Sequence, residues 1–272
     1  MFSKEHQKYI RKNKTKKLLI KTFRILLLLT IILTWELLAK YNIINPFISS
    51  SPSRILSTII SLYNKEDLFI HIWTTIYETI ISFSLGTILG IIIAIILWWN
   101  DFLYKVIDPY LTIINSLPKV AIGPIIIIFF GANIKSIIIM ALLISLIVTI
   151  ITVYNGFIET DKNKINLLKS FKATKYQIFK LVILPSSYNT IISSLKINIS
   201  MTLIGVIMGE FLVSKQGIGY LITYGSQVFN LNLVMSGIII LLIVSYLMYL
   251  IVSYIENTSQ QCLYRCAYCH II

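Results

Sequence analysis

Charged side chains are scarce in this chain. Aspartate, glutamate, lysine and arginine make up 13% of its 272 residues, hydrophobic residues make up 57%, and the mean hydropathy is +0.82. Soluble domains carry about 25% charged residues, so an ordinary water-soluble domain is excluded. Apolar runs of about 20 residues recur, each long enough to cross a hydrocarbon core of roughly 30 Å. These runs are continuously apolar rather than alternating, which favours membrane-spanning helices over barrel strands.

Metal-binding and nucleotide-binding patterns are also lacking. The three cysteines, Cys262, Cys266 and Cys269, are spaced in a way that resembles the iron–sulfur motif of radical SAM enzymes. No soluble barrel accompanies them to surround a cluster, so we expect no metal site there. The chain contains no Gly-x-x-x-x-Gly-Lys-Ser/Thr loop, so we expect it not to hydrolyse ATP itself.

Apolar segments predict an all-α integral membrane protein with about six transmembrane helices. We expect a basic N-terminal tail at 1–17, a membrane domain at 18–256 and a cysteine-containing tail at 257–272. The first span has an apolar run of about 22 residues, longer than that of a cleaved signal peptide, so we expect it to be retained. The predicted spans are 18–39, 71–99, 119–131 with help from the preceding residues, 134–154, 188–212 and 233–255.

Lysine and arginine are distributed unevenly between the segments. Nine lie in the N-terminal tail and its edge, and six lie in the loop at 155–185. Basic residues remain on the cytoplasmic side, so both termini and this loop are predicted to be cytoplasmic in a bacterial cell membrane. The net charge of +13 is thereby explained without a nucleic-acid partner. The opposite side holds five basic residues, namely Lys40, Arg54, Lys65, Lys135 and Lys215.

The loop at 155–185 has a helical periodicity of its own. Its pattern predicts two short amphipathic helices with a turn near Lys172–Thr174, and Leu184-Pro185 places a proline in the first turn of the next span. Such a pair is compatible with the bilayer surface, with a groove on a soluble partner, or with a solvated basic loop. The periodic positions are Ile165, Leu168, Phe171, Tyr176, Ile178, Phe179 and Val182.

The same loop resembles the coupling loop of ABC importer permeases, the membrane components of ATP-driven importers. The family pattern is Glu-Ala-Ala, three residues, Gly, nine residues, then Ile-x-Leu-Pro. The last half matches, whereas lysine replaces the glycine, at a cost of about 1 kcal/mol if the turn needs positive φ. The residues that take the positions of this motif are Asn166, Leu167, Leu168, Lys172, Ala173, Val182, Leu184 and Pro185.

Residues 35–256 resemble the nitrate, sulfonate and taurine group of these permeases. Several spaced motifs, in the same order as in that group, carry this resemblance. They are Asn45-Pro46-Phe47, Ser51-Pro52-Ser53, Ser116-Leu117-Pro118-Lys119, Pro124, Phe130-Gly131, Gly209-Glu210 and Gly217-Ile218-Gly219-Tyr220.

The resemblance implies a set of partners and a substrate class. Two copies of the chain would form the pathway, two cytoplasmic ATP-binding cassette subunits would use ATP and Mg²⁺, and an external binding protein would deliver the solute. This chain itself would bind no cofactor. The implied solute is nitrate, a sulfonate or a taurine-like anion. A thiamine-pyrimidine or other aromatic precursor remains open, as does a stand-alone secondary transporter or a membrane scaffold.

Polar residues within or near the spans are candidates for the translocation path. Charged groups there are costly and commonly face a cavity or a partner. Glycines spaced by four, such as Gly86 and Gly90, are interpreted as helix-packing positions instead. The candidates for the path are Glu78, Lys119, Lys196, Asn198, Thr202 and Glu210.

Overall fold

The computed structural model describes residues 4–45, 49–65 and 67–269, with side chains described except at 4–11, 14, 119, 257 and 259–269. These ranges contain α-helices and no strand. The all-α prediction is therefore confirmed. In chain order the α-helices are α1 (Lys4–Lys40), α2 (Pro52–Asn64), α3 (Asp67–Trp99), α4 (Asp101–Ser116), α5 (Gly123–Phe130), α6 (Ile134–Ile158), α7 (Lys162–Ser170), α8 (Lys175–Ile178), α9 (Leu184–Val213), α10 (Ile218–Gln227) and α11 (Leu231–Cys269).

Five helical segments are long and apolar enough to cross a membrane, and a bent pair makes a sixth if it counts as one span. The prediction of about six spans is confirmed, but the third is broken. Its halves, Asp101–Ser116 and Val120–Phe130, meet at 91°. Pro118 explains the break because proline forces the residue before it out of the helical region, and Leu117 is extended, with ψ 141°.

The first and last helices extend beyond the predicted spans. The α1 helix begins at Lys4, so the described part of the basic tail continues the first span. The α11 helix runs on to Cys269, through most of the predicted C-terminal tail. Neither extension contains glycine or proline, the two residues that most disfavour a helix interior.

The core forms where α3 and α9 both pack against α6. Small residues let the helices approach: a Cβ on Gly90 would meet Thr149 Cβ at 2.7 Å, and one on Gly205 would meet Ala141 Cα at 2.6 Å. On α9, a Cβ on Gly209 would lie 2.9 Å from Ile137 Cγ2. Helix packing therefore accounts for these glycines, as predicted.

The α1 span stands apart from this core. None of its most apolar stretch is buried within the chain. The C-terminal end of α1 is hydrogen-bonded to the start of α2, where the Ser53 N–H and hydroxyl donate to the Glu36 carboxylate at 3.1 and 2.8 Å. The apolar surface of α1 thus faces lipid or another chain.

Candidate functional site

The 155–185 loop folds into the two short helices, α7 and α8, that its periodicity predicts. Asp161 caps α7 by accepting from the Asn163 N–H at 2.8 Å. At α8, the Thr174 hydroxyl accepts from the Gln177 N–H at 3.3 Å, and the Gln177 side chain accepts from the Thr174 N–H at 2.7 Å. This reciprocal capping box fixes the start of a very short helix.

Lys172 forms the turn between α7 and α8 in a left-handed conformation, with φ 57°. The Ala173 N–H donates to the Leu168 carbonyl at 3.0 Å, and the Lys172 N–H donates to the Lys169 carbonyl at 2.9 Å. This is the Schellman pattern of a helix C-terminus, in which glycine usually takes the left-handed position. The positive φ on which the predicted cost of lysine depends is therefore present.

The inner face of the loop packs on the neighbouring ends of α3 and α6. Ile178 and Phe179 are buried, and the Phe179 ring lies 4.9 Å from that of Trp98 and 5.7 Å from that of Phe157, centroid to centroid. The Lys175 ammonium donates to the Trp99 carbonyl at 2.6 Å, where a cation complements the C-terminus of α3. The loop is thus joined to the core.

The outer face of the loop carries large apolar side chains without cover. Leu167, Phe171 and Tyr176 are 59%, 75% and 60% exposed. Exposed basic residues lie in the same loop, namely Lys162, Lys164, Lys169, Lys172 and Lys180. We call Leu167, Phe171 and Tyr176 the outer apolar patch. Exposed apolar side chains in a basic loop suit docking into a groove of complementary charge.

The predicted motif residues divide between the two faces. Asn166, Leu167 and Lys172 are exposed, whereas Leu168 and Ala173 are half-buried against the core. Beyond α8, Val182 is half-buried, and Leu184 and Pro185 are exposed.

Pro185 lies in the first turn of α9, as predicted, but no break in the helix precedes it. A wide turn, Phe179–Ile183, joins α8 to α9, and the Leu184 N–H donates to the Phe179 carbonyl. Such a wide turn fits a position where proline supplies no N–H to the preceding turn. The segment Lys175–Val213 is therefore one helical run, which connects the loop directly to the fifth span.

Three candidates for the path engage neighbouring groups in the helix packing. Lys196 forms an ion pair with Glu256. The Asn198 amide donates to the Thr87 hydroxyl of α3 at 2.5 Å, and the Thr202 hydroxyl donates to the Asn198 carbonyl at 2.8 Å. The side chain of Lys119 lies outside the described residues, and a role of these residues in the path stays a prediction.

Glu78 and Glu210 lie together between α3 and α9. Both are buried, and their carboxyl groups interact with each other. Glu210 accepts from the Thr75 hydroxyl at 2.6 Å and from the Gly219 N–H at 2.5 Å. Thr75, which completes this cluster, was not singled out from the sequence because a threonine within an apolar span has no distinguishing pattern.

A cavity of about 490 Å³ lies where α3, the start of α6 and the turn after α9 meet. Thr74, Asn133 and Ser214 contribute to its lining together with two exposed lysines, Lys135 and Lys215. Neither lysine forms an ion pair within the described part of the chain. The sequence analysis used these lysines only to assign sides of the membrane, because only the fold brings them to the same cavity.

The model of the binding-protein-dependent transport system inner membrane component family matches residues 86–259. The chain belongs to this family. The match covers the 155–185 loop and α9, whereas Thr74, Thr75 and Glu78 lie before its start.

Individual proteins resemble the chain over most of its length. The formylaminopyrimidine transport permease protein ThiX of Halalkalibacterium halodurans is 28% identical over 195 residues, 72% of this chain and 77% of the relative. The taurine transport system permease protein TauC of Escherichia coli is 20% identical over 226 residues, 81% of this chain and 82% of the relative. An inward-facing structure of the MetNI methionine ABC transporter has a TM-score of 0.63 at 19% identity, covering 71% of this chain and 96% of that one.

The chain is therefore a multi-pass permease of a binding-protein-dependent ABC importer, of a family found in the bacterial inner membrane. Permeases of this kind work with ATPase subunits. The likeness to MetNI establishes the fold of the spans and nothing about the solute.

Proposed function

We propose that this permease carries a small anion across the cytoplasmic membrane, with the 155–185 loop as the docking site for its ATPase. One observation carries the proposal: the loop presents the outer apolar patch and, through Lys175–Val213, continues into the fifth span. In this arrangement both termini and the loop are cytoplasmic, and two copies of the chain line the pathway. An external binding protein delivers the solute.

The continuous helical run supplies the mechanical link. When ATP closes the ATPase dimer, the docked α7 and α8 move with it. Because Phe179 packs among Trp98, Trp99 and Phe157, α3 and α6 move together with the loop. Tightly packed helices shift as rigid bodies rather than deforming, so a displacement at the loop rocks the spans.

The ATPase subunits bind ATP and Mg²⁺ and perform the hydrolysis. This chain binds no cofactor and contributes docking, transmission and the path itself. Its sequence has no phosphate-binding loop of the Gly-x-x-x-x-Gly-Lys-Ser/Thr type, which supports this division of labour.

The lining of the cavity supports a small anion as the solute, namely nitrate, a sulfonate or a taurine-like anion. Lys135 and Lys215 give its lining two positive charges, and the lining residues include no aspartate or glutamate. Similarity to TauC agrees with this choice. The second candidate is a formylaminopyrimidine-type precursor, which the similarity to ThiX favours.

Reconstitution tests the function. The permease is placed in vesicles with and without the ATPase and binding protein that we expect to be encoded beside it, and uptake of labelled solute is measured. We expect uptake only with the ATPase and ATP together. Uptake that persists without the ATPase indicates a secondary transporter, and absence of uptake of any solute that the binding protein holds indicates a scaffold.

The same vesicles distinguish the two solute classes. Taurine and alkyl sulfonates are compared with formylaminopyrimidine, using Lys135→Ala and Lys215→Ala beside Lys65→Ala, an exposed lysine outside the cavity. Anion import is expected to fall about tenfold when both cavity lysines are removed and to be unchanged in the control. Transport of the pyrimidine alone, insensitive to all three changes, would contradict the anion proposal.

A further inference from the structure

The two glutamates of the membrane core, Glu78 and Glu210, are almost completely buried, at 0% and 1% exposure. Each faces the other, and neither forms an ion pair with a lysine or arginine in the described part of the chain. Two ionised carboxylates in contact at a buried site repel each other and lose their hydration. The pair therefore needs a positive charge, and a proton is the smallest one.

Hydrogen-bond donors are distributed unevenly between the two carboxyl groups. Glu210 receives the Thr75 hydroxyl, the Gly219 N–H and the Tyr220 N–H. Neither oxygen of Glu78 accepts a hydrogen from a described residue. An ionised Glu210 is thus well supported, whereas an ionised Glu78 has no hydrogen-bond donor among the described residues.

The donors to Glu210 belong largely to the N-terminus of α10. The Ile218 N–H donates to the Thr75 hydroxyl at 2.9 Å, and the Gly217 N–H donates to His71 Nδ1 at 3.0 Å. The free N–H groups of that helix end are thereby paired with α3 and α9, and its positive dipole end faces Glu210.

Gly217 and Gly219 are required by the same contact. Gly217 has φ 111°, and a Cβ on it would collide with the Glu210 carboxyl group. A Cβ on Gly219 would lie 2.7 Å from Glu210 Oε2. The Gly217-Ile218-Gly219 segment packs directly against the Glu210 carboxyl group. The carboxylate therefore fixes the position of the turn after α9.

We propose that Glu78 carries a proton and donates it in a hydrogen bond to the Glu210 carboxylate, and that this pair positions the turn between α9 and α10 against α3. Around it are His71 and Thr75 of α3 and the N–H groups at the start of α10; α6 presents no charged group to it among the described residues. The turn lines the cavity that contains Lys135 and Lys215. The positioning role therefore rests on the proposed function, whereas the shared proton does not.

Infrared spectroscopy of the purified full-length permease tests the proton directly. We expect a carbonyl band of a protonated carboxylic acid at neutral pH that disappears in Glu78→Gln. The matched control is Glu256→Gln, because Glu256 is ion-paired with Lys196 and should contribute no such band. No band at neutral pH, a band that survives in Glu78→Gln, or a band that sodium ions abolish would overturn the proposal.

Transport variants test the positioning role separately. Gln at position 78 keeps a donor for Glu210, so Glu78→Gln should retain uptake within about twofold of wild type. Glu78→Ala leaves Glu210 without that donor and should lose about tenfold. If Gln fails to rescue relative to Ala while the infrared result holds, the positioning role is wrong. If the wild type itself transports nothing, the proposed function fails and the infrared result still stands.

Discussion

Lys172 occupies a backbone conformation that glycine adopts at lower cost. Its φ of 57° lies in the left-handed region, where an L side chain is strained by about 1–2 kcal/mol. Its side chain is exposed, and its backbone N–H is used in the turn. The strain therefore belongs to the Cβ atom, and the lysine charge remains available to the proposed docking face.

Replacing Lys172 by glycine is expected to stabilise the loop by about 1 kcal/mol, because the left-handed turn then carries no Cβ penalty. Thermal unfolding of the purified permease in detergent measures the change. Lys172→Ala is the matched control: it removes the charge but keeps the Cβ, so its stability should equal that of wild type. An equal gain in both variants would assign the effect to charge and contradict the backbone explanation.

At the scale of elements, α7 and α8 pack against the core on one side and are exposed on the other. Their inner side chains join the core through Ile178 and Phe179, whereas Phe171 projects outward with 75% of its surface exposed. An exposed phenylalanine gains from burial in a partner but contributes little to the fold of its own chain. In this helix pair, the side chains that stabilise the fold therefore differ from those proposed to contact the ATPase.

Phe171→Asp is expected to abolish most ATPase binding and ATP-driven uptake while leaving the permease folded, because it places a charge at the centre of the outer apolar patch. Pull-down of the ATPase and uptake in vesicles measure the two effects. The control is Phe229→Asp in the turn between α10 and α11, an exposed phenylalanine outside the candidate membrane spans that should leave ATPase binding intact. Undiminished ATPase binding in Phe171→Asp would place the docking site elsewhere.

Local sequence patterns predicted the helices α7 and α8. The features that the sequence analysis missed depend mostly on contacts between residues far apart in the chain. The helical periodicity of 155–185 and the turn at Lys172 depend on neighbouring residues, so the sequence was sufficient to predict them. The bend after Ser116 also had a local signal, Pro118, which the predicted span did not use. The Glu78–Glu210 contact and the Lys196–Glu256 pair join segments far apart in the chain. Their partners depend on how α3, α9 and α11 pack, which no local pattern contains.

At the scale of the whole molecule, the broken third span decides the topology. If α4 and α5 together cross the membrane, the N-terminus and the 155–185 loop lie on the same side. If the pair instead enters and leaves on one side, these two basic regions face opposite sides. Nine lysines and arginines mark the first region and six mark the second, and such regions remain in the cytoplasm. The charge pattern therefore favours a bent pair that crosses the membrane, as the proposed topology needs.

Single-cysteine labelling tests this crossing. In a variant whose three native cysteines are replaced by serine, Ala132→Cys lies just after α5 and Ser170→Cys lies at the end of α7; both positions are exposed. A membrane-impermeant maleimide added to intact spheroplasts should label position 132 and not 170, whereas opened membranes should allow both to react. Because α6 separates the two sites, they always report opposite sides, and their order decides between the topologies. With a cytoplasmic N-terminus, labelling of 170 from outside would mean that the bent pair is re-entrant. It would place the proposed ATPase docking face on the wrong side of the membrane in any case.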